Sequence, residues 1–412
     1  MSGQGKKKER AEALAYVSTG IQCPVLSSDA AGELEIFVVS ASLQPFTSQQ
    51  WEMHQDYNIR KERKRTVNIH VSDTKGQRLA GAVDWFVKRF NAAVFENELK
   101  WYVTEHEAGN VNYTLADQML SFVRGNKIVA RGHNIFWEDP MYTPAWVRNL
   151  SGTPLRMAVQ ARIQSLLSNY NEQFIHWDVS NEMLHFHFYE QRLGPNASLD
   201  FFRTAQEADP HATLFMNDFN VIETCEDAKS AVDAYVLRLR EFKEGGAGAI
   251  LQGIGLEGHF TRPNLPFVRA VLDKLATLGL PIWLTEIDIS KTIDRQTQAV
   301  YLEQVVREGF SHPAVDGMML WTALHPNGCY QMCLTDNNLQ NLPAGDVVDK
   351  LLQEWQTRTA LGYTDDHGSY IFDGFLGEYM VSVIHGNKST DSTFSLSRSD
   401  ETKHVDIQIH TD

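Results

Sequence analysis

The 412-residue chain is poor in cysteine, with only Cys23, Cys225, Cys329 and Cys333. Four are too few for a disulfide scaffold, and no two make the C-x-x-C spacing of a redox or zinc motif. Long apolar runs are missing too. Nothing approaches the roughly 20 apolar residues of a membrane span, so no membrane partner is expected. Basic charge is in deficit, 37 Lys and Arg against 52 Asp and Glu, a net of −15. That sign disfavours nucleic acid and anionic membranes and is compatible with a neutral ligand such as a sugar. The start, "MSGQGKKKERAEALAYVSTG", is basic but lacks a compact apolar segment of about 7–15 residues. It reads as no signal peptide, and a fragment of a longer precursor fits equally. Four N-x-[ST] sequons, at Asn112, Asn149, Asn196 and Asn387, are weak support for secretion.

What the chain does contain is regular alternation. Short apolar runs recur as "TVNIHV" (66–71), "NAAVFEN" (91–97), "KIVARGH" (127–133), "FIHWDV" (174–179), "TLFMND" (213–218), "ILQGIG" (250–255), "PIWLTE" (281–286) and "GMMLW" (317–321). Amphipathic stretches separate them. In "DAKSAVDAYVLRLREFKEGG" (227–246), Val232, Tyr235, Leu239 and Phe242 recur near a 3.6-residue period and Gly245 offers a stop. Strands alternating with helices over about 250 residues predict an α/β fold, the (β/α)8 TIM barrel. A doubly wound open sheet is the alternative, but no glycine-rich phosphate loop follows any strand. The flanks differ. Residues 1–60 hold one convincing strand, "ELEIFVVS" (33–40), and residues 361–412 carry the alternating patterns of a small antiparallel β module.

In such a barrel the chemistry collects at the C-terminal ends of the strands. Here those ends read Glu96–Asn97, Arg131–Gly132–His133, Asn181–Glu182, Asn217–Asp218, Glu257 with His259, Glu286–Asp288 and Trp321. Amides and carboxylates suit sugar hydroxyls, and Trp faces suit the C–H surfaces of sugar rings. Hydrolysis of a glycosidic bond needs two flanking carboxyl groups. Glu182 and Glu286 are the best-placed pair, each ending a markedly apolar strand. Either one alone could cap a helix or join a structural ion pair. Both together, in one ring with His259 and Asn181, favour the catalytic reading.

"WDVSNE" (177–182) and "WLTEID" (283–288) resemble the acid and nucleophile signatures of glycoside hydrolase family 10, the endo-1,4-β-xylanases. "ENELKW" (96–101), "RGHNIFW" (131–137), "MNDFN" (216–220) and "GIGLEGH" (253–259) match its other strand-end motifs in order. The segment around "LWTALHPNGCYQMCLTDNN" is most similar to plant members. The resemblance implies a retaining mechanism with Glu182 as general acid/base and Glu286 as nucleophile. It implies that Asn181 bonds the sugar 2-hydroxyl and that His259 keeps Glu286 ionised, with Asn217, Glu257 and Asp288 behind them. Glu96, Asn97 and Lys100 would bind the glycone sugars, His133 and Trp137 would line the reacting subsite, and Trp321 would roof it. It implies no cofactor or metal; xylan or arabinoxylan as partner; a monomer; and an extracellular or cell-wall location.

Two departures from that family concern the site. Glu257 stands where a glutamine is usual, and Cys329, next to Tyr330, stands where a second Trp is common. Cys329 and Cys333 are open to a short-loop disulfide or to two free thiols. A third departure concerns the barrel. "TVNIHVSDTKG" leads almost directly into "QRLAGAVDWFVKRF", so about 30 residues of a βα unit are lacking, including the usual first strand. Spacing alone makes "TVNIHV" that strand, whereas the resemblance makes it an element before the barrel; the small residues of "RLAGAV" (78–83) favour a stunted first strand there. The expected organisation is a remnant of an upstream module or linker at 1–45, the barrel with its truncated first strand at 46–358, and the β module at 359–412. Two further readings stay open: a xylan endotransglycosylase, and a non-catalytic xylan-binding protein disabled by loss of the first strand. His185 and His187, at H-x-H spacing, lack an identifiable third ligand for a metal.

Overall fold

The computed structural model describes residues 82–247, 251–325, 327–357 and 361–408, with residues 63–68 and a few earlier positions (14–15, 23–24, 51, 54–55 and 58–59). The strand expected at 33–40 lies outside the described residues. The chain runs from β1 (Lys64–Asn68) and α1 (Ala82–Val87) into β2 (Ala92–Val94), α2 (Thr114–Gly125), β3 (Val129–Gly132) and α3 (Gly152–Tyr170). It continues through β4 (His176–Asp178), α4 (Ala197–Ala208), β5 (Thr213–Asp218), α5 (Val232–Phe242), β6 (Gly253–Leu256) and α6 (Leu265–Ala276). The last barrel elements are β7 (Ile282–Ile289), α7 (Arg295–Ser311), β8 (Val315–Leu320) and α8 (Pro343–Glu354). Strands β2 to β8 pair in chain order, and every ladder is parallel. Parallel neighbours need a crossover, which the helices supply, and the sheet's twist curls it toward barrel closure.

Burial explains the elements. On α5, Tyr235, Val236, Leu239 and Phe242 are buried along one face, and Gly246, at φ 83°, turns the chain away after it. Within the sheet, His176 packs 4.6 Å from the Phe215 ring and 4.5 Å from the Trp283 ring. Two glycines make room for these rings. A Cβ on Gly253 would lie 2.4 Å from Phe215, and one on Gly317 would lie 2.5 Å from Trp283. Burial, helped by the charge of Arg131, lowers the His176 pKa to about 3, so it sits in the core as a neutral ring.

The first-strand expectations need correction. The spacing reading of "TVNIHV" as a barrel strand fails, and its place outside the barrel, implied by the resemblance, holds: β1 pairs antiparallel with β9 (Ile371–Phe375) and parallel with β12 (Thr402–His404). Ala82 and Val83 of "RLAGAV" begin α1 instead of forming a strand, and residues 78–81 lie outside the described residues. Among the described residues, no strand joins β8 to β2, and a cavity of about 280 Å³ lies along that seam. Ala92 and Leu320 line it from the sheet, Phe90 from the turn before β2, and Leu302, Val306 and Leu351 from the helices. The reason for the misreading is physical. Alternation specifies a half-buried strand but not its partner.

The C-terminal module is therefore built from both halves of the chain. Beside the β9–β1–β12 sheet stands the antiparallel hairpin β10 (Gly377–His385) and β11 (Lys388–Leu396), with Val381, Val383 and Leu396 in a small core. Arg63, just before β1, donates to the carbonyls of Phe310 at 3.0 Å, His312 at 2.9 Å and Val315 at 2.6 Å. Arg398 pairs with Asp316 at 2.8 Å. Both contacts fasten the module at the N-terminal end of β8, away from the strand ends that carry the site.

On the site side, the buried Arg162 of α3 ties two loops together. It donates to the Leu99 carbonyl at 2.6 Å, the Thr104 hydroxyl at 2.8 Å, and the Asn134 and Ile135 carbonyls at 3.2 and 3.3 Å. Removing it would strand four buried acceptors. Arg162→Met should lower the unfolding free energy by about 3 kcal/mol, read from urea unfolding followed by tryptophan fluorescence. A loss below about 1 kcal/mol would mean that these bonds do not hold the loops.

Candidate active site

The apolar strand β4 ends at Asp178, and the next residues turn the chain into the cleft. Ser180 and Asn181 pair with Phe136 and Trp137. Glu182 then takes φ 60°, a left-handed conformation uncommon for a residue with a Cβ. Its N–H donates to the Asn217 carbonyl at 2.9 Å, and its carbonyl accepts from His185 and Phe186 at 3.1 Å. Surroundings that fix the backbone this firmly can hold a strained residue. Glu286 lies within β7, its N–H donating to the Glu257 carbonyl at 3.0 Å. Both carboxyl side chains are buried, the residues 8% and 6% exposed.

Asn217, at the end of β5, joins them. Its Nδ2 lies 3.1 Å from Glu286 Oε1, 3.0 Å from Asn181 Oδ1 and 3.3 Å from Glu257 Oε1, while its Oδ1 accepts from the Thr285 hydroxyl at 2.5 Å. The Asn181 amide in turn reaches Glu182 Oε1 at 3.4 Å. From the other side, His259 Nε2 stands 3.5 Å from Glu286 and 3.3 Å from Glu257, with Nδ1 3.0 Å from Asp288. His133 presents Nε2 to Glu286 at 3.9 Å and is held through Nδ1 by Asp178 at 2.9 Å.

The remaining candidates form one wall. Lys100 Nζ lies 4.4 Å from the Trp137 ring centroid and 5.7 Å from that of Trp321, and Trp321 stands edge-on to His133. Asn97 accepts from the Tyr102 hydroxyl at 2.8 Å, and Glu96 meets His325 at 2.7 Å. All thirteen sequence candidates thus lie in the central cluster or on this wall.

Sequence reading missed several contributors. Asp178 pairs with the fully buried Arg131 as well as with His133; an acid inside an apolar strand beside an arginine-bearing strand was the available signal. Tyr142 stacks on Trp137 at 3.9 Å, and nothing in its loop sequence marked it. His185 and His187 do not act as a pair. His185 lies between Asp218 at 2.5 Å and Asp227 at 3.0 Å, and His187 precedes the helix Phe188–Leu193. Cys329 and Cys333 form a disulfide, and Cys225 is also disulfide-bonded.

Environment drives the two glutamates apart. Burial pushes Glu182 up to about 8, helped by the charges of Asp218, Glu286 and Asp139 and partly offset by Trp137. Burial acts on Glu286 in the same direction, but the charges of His133, His259 and Lys100, with the His259 hydrogen bond, bring it down to about 2. Burial lowers Lys100 despite four surrounding glutamates. Between these values one carboxyl keeps its proton and the other is ionised, the arrangement of an acid and a nucleophile.

The model of glycosyl hydrolase family 10 matches residues 56–349. The chain belongs to this family. Among family 10 relatives, endo-1,4-beta-xylanase 5 of Arabidopsis thaliana is 36% identical over 390 residues, covering 86% of this chain and 66% of that protein. Endo-1,4-beta-xylanase 1 of the same plant is 40% identical over 335 residues, 79% of this chain and 34% of its own. This chain therefore spans about two thirds or less of the length of these two relatives. The solved structure of native xylanase 10B from Thermotoga maritima superposes with a TM-score of 0.57 at 26% identity, covering 66% of this chain and 90% of that one. The family 10 barrel expected from the strand-end motifs is thus the fold of this chain.

Asp178 lies under the site as the counter-ion of Arg131. Asp178→Ala should cost about 3–5 kcal/mol because it leaves a buried guanidinium uncompensated. Chemical unfolding measures this, and a cost near zero would exclude the buried pair.

Proposed function

We propose that this chain is an endo-1,4-β-xylanase that cleaves internal β-1,4 bonds of xylan or arabinoxylan with retention. The observation that carries this reading is the pair of buried carboxyl groups, Glu182 and Glu286, joined through Asn181 and Asn217 at the strand ends, where burial raises the first and neighbouring positive charge lowers the second. Glu286 attacks the anomeric carbon while Glu182 gives its proton to the departing glycosidic oxygen. Glu182, now a base, then takes a proton from the water that opens the glycosyl-enzyme. Asn181 bonds the 2-hydroxyl at the reacting subsite. Glu96, Asn97 and Lys100 hold the glycone, and the Trp137 and Trp321 faces flank the reacting sugar. Lys100 and the two imidazoles balance charge around Glu286. The arrangement needs no cofactor, and a single barrel carries all these groups, consistent with a monomer. The disulfides fit an oxidising extracellular or cell-wall setting. A second xylan chain in place of water would make the same intermediate a transglycosylation donor, which product sizing with acceptor oligosaccharides detects.

The open seam favours a second reading, xylan binding without turnover. It lies between β8 and β2, whereas Glu182 and Glu286 are carried by the continuous arc from β4 to β7. Release of reducing ends from soluble arabinoxylan separates the two readings.

Activity requires Glu286 ionised and Glu182 protonated. On xylan, kcat/KM should therefore fall as pH rises through about 8 and hold down to the lower limb set by Glu286 near 2, as far as the fold survives acid. A lower limb at pH 6 would contradict the assignment. Glu286→Ala should abolish xylan cleavage, with azide restoring turnover of an activated aryl glycoside with inverted product. Glu182→Ala should slow poor leaving groups about 10²-fold or more beyond good ones. Equal losses would remove Glu182 from the acid's role.

A further inference from the structure

The Asn217 amide and His259 Nε2 carry fewer hydrogens than the acceptor atoms they face. The Asn217 amide has two hydrogens and His259 Nε2 has one. Facing them are five acceptor atoms: Asn181 Oδ1, both oxygens of Glu257 and both oxygens of Glu286. Glu257 competes with Glu286 at both places, for the amide through Oε1 and for the imidazole through Oε2. It is 2% exposed, so bulk solvent has little access to it. Its side chain faces Glu286 and Glu182 as like charges and His259 and Lys100 as opposite ones, with Asp288 beyond His259 and Asp218 on the adjoining strand β5. A second carboxylate here would draw the shared hydrogens away from Glu286. A proton on Glu257 removes one acceptor and adds one donor.

We propose that Glu257 is a positioning residue that works as a neutral carboxylic acid, and that its ionisation weakens the hold of Asn217 and His259 on Glu286. This rests on the nucleophile role given to Glu286 above. Burial, reinforced by the charges of Glu286 and Glu182, acts in the same direction and raises Glu257 well above the ordinary carboxyl range. One consequence is that loss of activity on the alkaline side has two sources. Glu182 loses the proton it must donate, and Glu257 loses the proton that leaves Glu286 its donors. A good leaving group needs only the second.

The test uses 2,4-dinitrophenyl β-xylobioside, whose leaving group departs without a proton, on the wild-type chain and on Glu257→Gln. Wild-type kcat/KM for this substrate should still fall at high pH, and Glu257→Gln should move that fall upward by at least one pH unit. Profiles that superimpose would overturn the positioning role. A second measurement needs no turnover. A carboxyl whose pKa is raised by folding holds its proton in the folded state and loses it in the unfolded state, so stability falls as pH rises from about 4.3 toward the folded value. Glutamine does not titrate, so the Tm of Glu257→Gln minus that of wild type should grow steadily between pH 5 and pH 8. A difference constant with pH would overturn the neutral carboxyl, whatever the activity. A wild-type chain inert on both xylan and the aryl substrate would instead sink the xylanase reading, while the Tm comparison would still decide the proton on Glu257.

Discussion

The Asn217 carboxamide is the joint on which the site depends. It is fully buried at the end of β5, and the hydroxyl of Thr285 holds its oxygen while its nitrogen faces Asn181, Glu257 and Glu286. Those groups arrive on or just beyond separate strands, β4, β6 and β7. A short amide on a rigid strand can bridge them only if the parallel registers of β4, β5, β6 and β7 are right. The backbone carbonyl of the same residue also receives the Glu182 N–H, so one residue helps set the place of both glutamates. Barrel geometry and site geometry are one constraint here.

Around that joint the protein places ionised groups where burial would ordinarily forbid them. Arg131 is tolerated because Asp178 meets it, and Asp178 in turn holds the His133 ring in its direction. Lys100 is buried among carboxylates and rests on two indole faces. The positive groups lie close to Glu286, while Asp218 and Asp139 add negative potential at Glu182. Two chemically identical side chains thus acquire opposite tasks from their neighbours. Such pairs are costly to break from one side only, which ties stability to the integrity of the site.

The sequence carried most of this, and the physics of each signal explains what it left out. Strand ends are legible because a buried parallel strand is apolar until it reaches the cleft, so Glu182, Asn217 and Glu286 stand out against their own strands. The spacing of Tyr235, Leu239 and Phe242 likewise announced a helix face. Asp178 stayed hidden because its meaning lies in a partner on the neighbouring strand, 47 positions earlier in the chain. Tyr142 was hidden for a similar reason, since a loop residue stacked on an indole leaves no period. Spacing alone misplaced the segment from Lys64 to Asn68, which the family resemblance kept outside the barrel, because an alternating strand satisfies either sheet and only the assembled fold chooses between β9 and β8 as its neighbour.

The placement of β1 between β9 and β12 has a bearing on how the chain matures. Lys64 lies opposite Phe375, roughly 300 residues later, and the same strand also pairs with Thr402–His404. Contacts of such sequence distance are late and slow to form. A ribosome releases the early barrel strands long before the last partner of β1 exists. Until synthesis reaches His404, β1 offers at least one unsatisfied edge to its surroundings. The strand that fastens the segments on either side of the barrel together is, for most of the nascent chain's life, an open invitation to mispair.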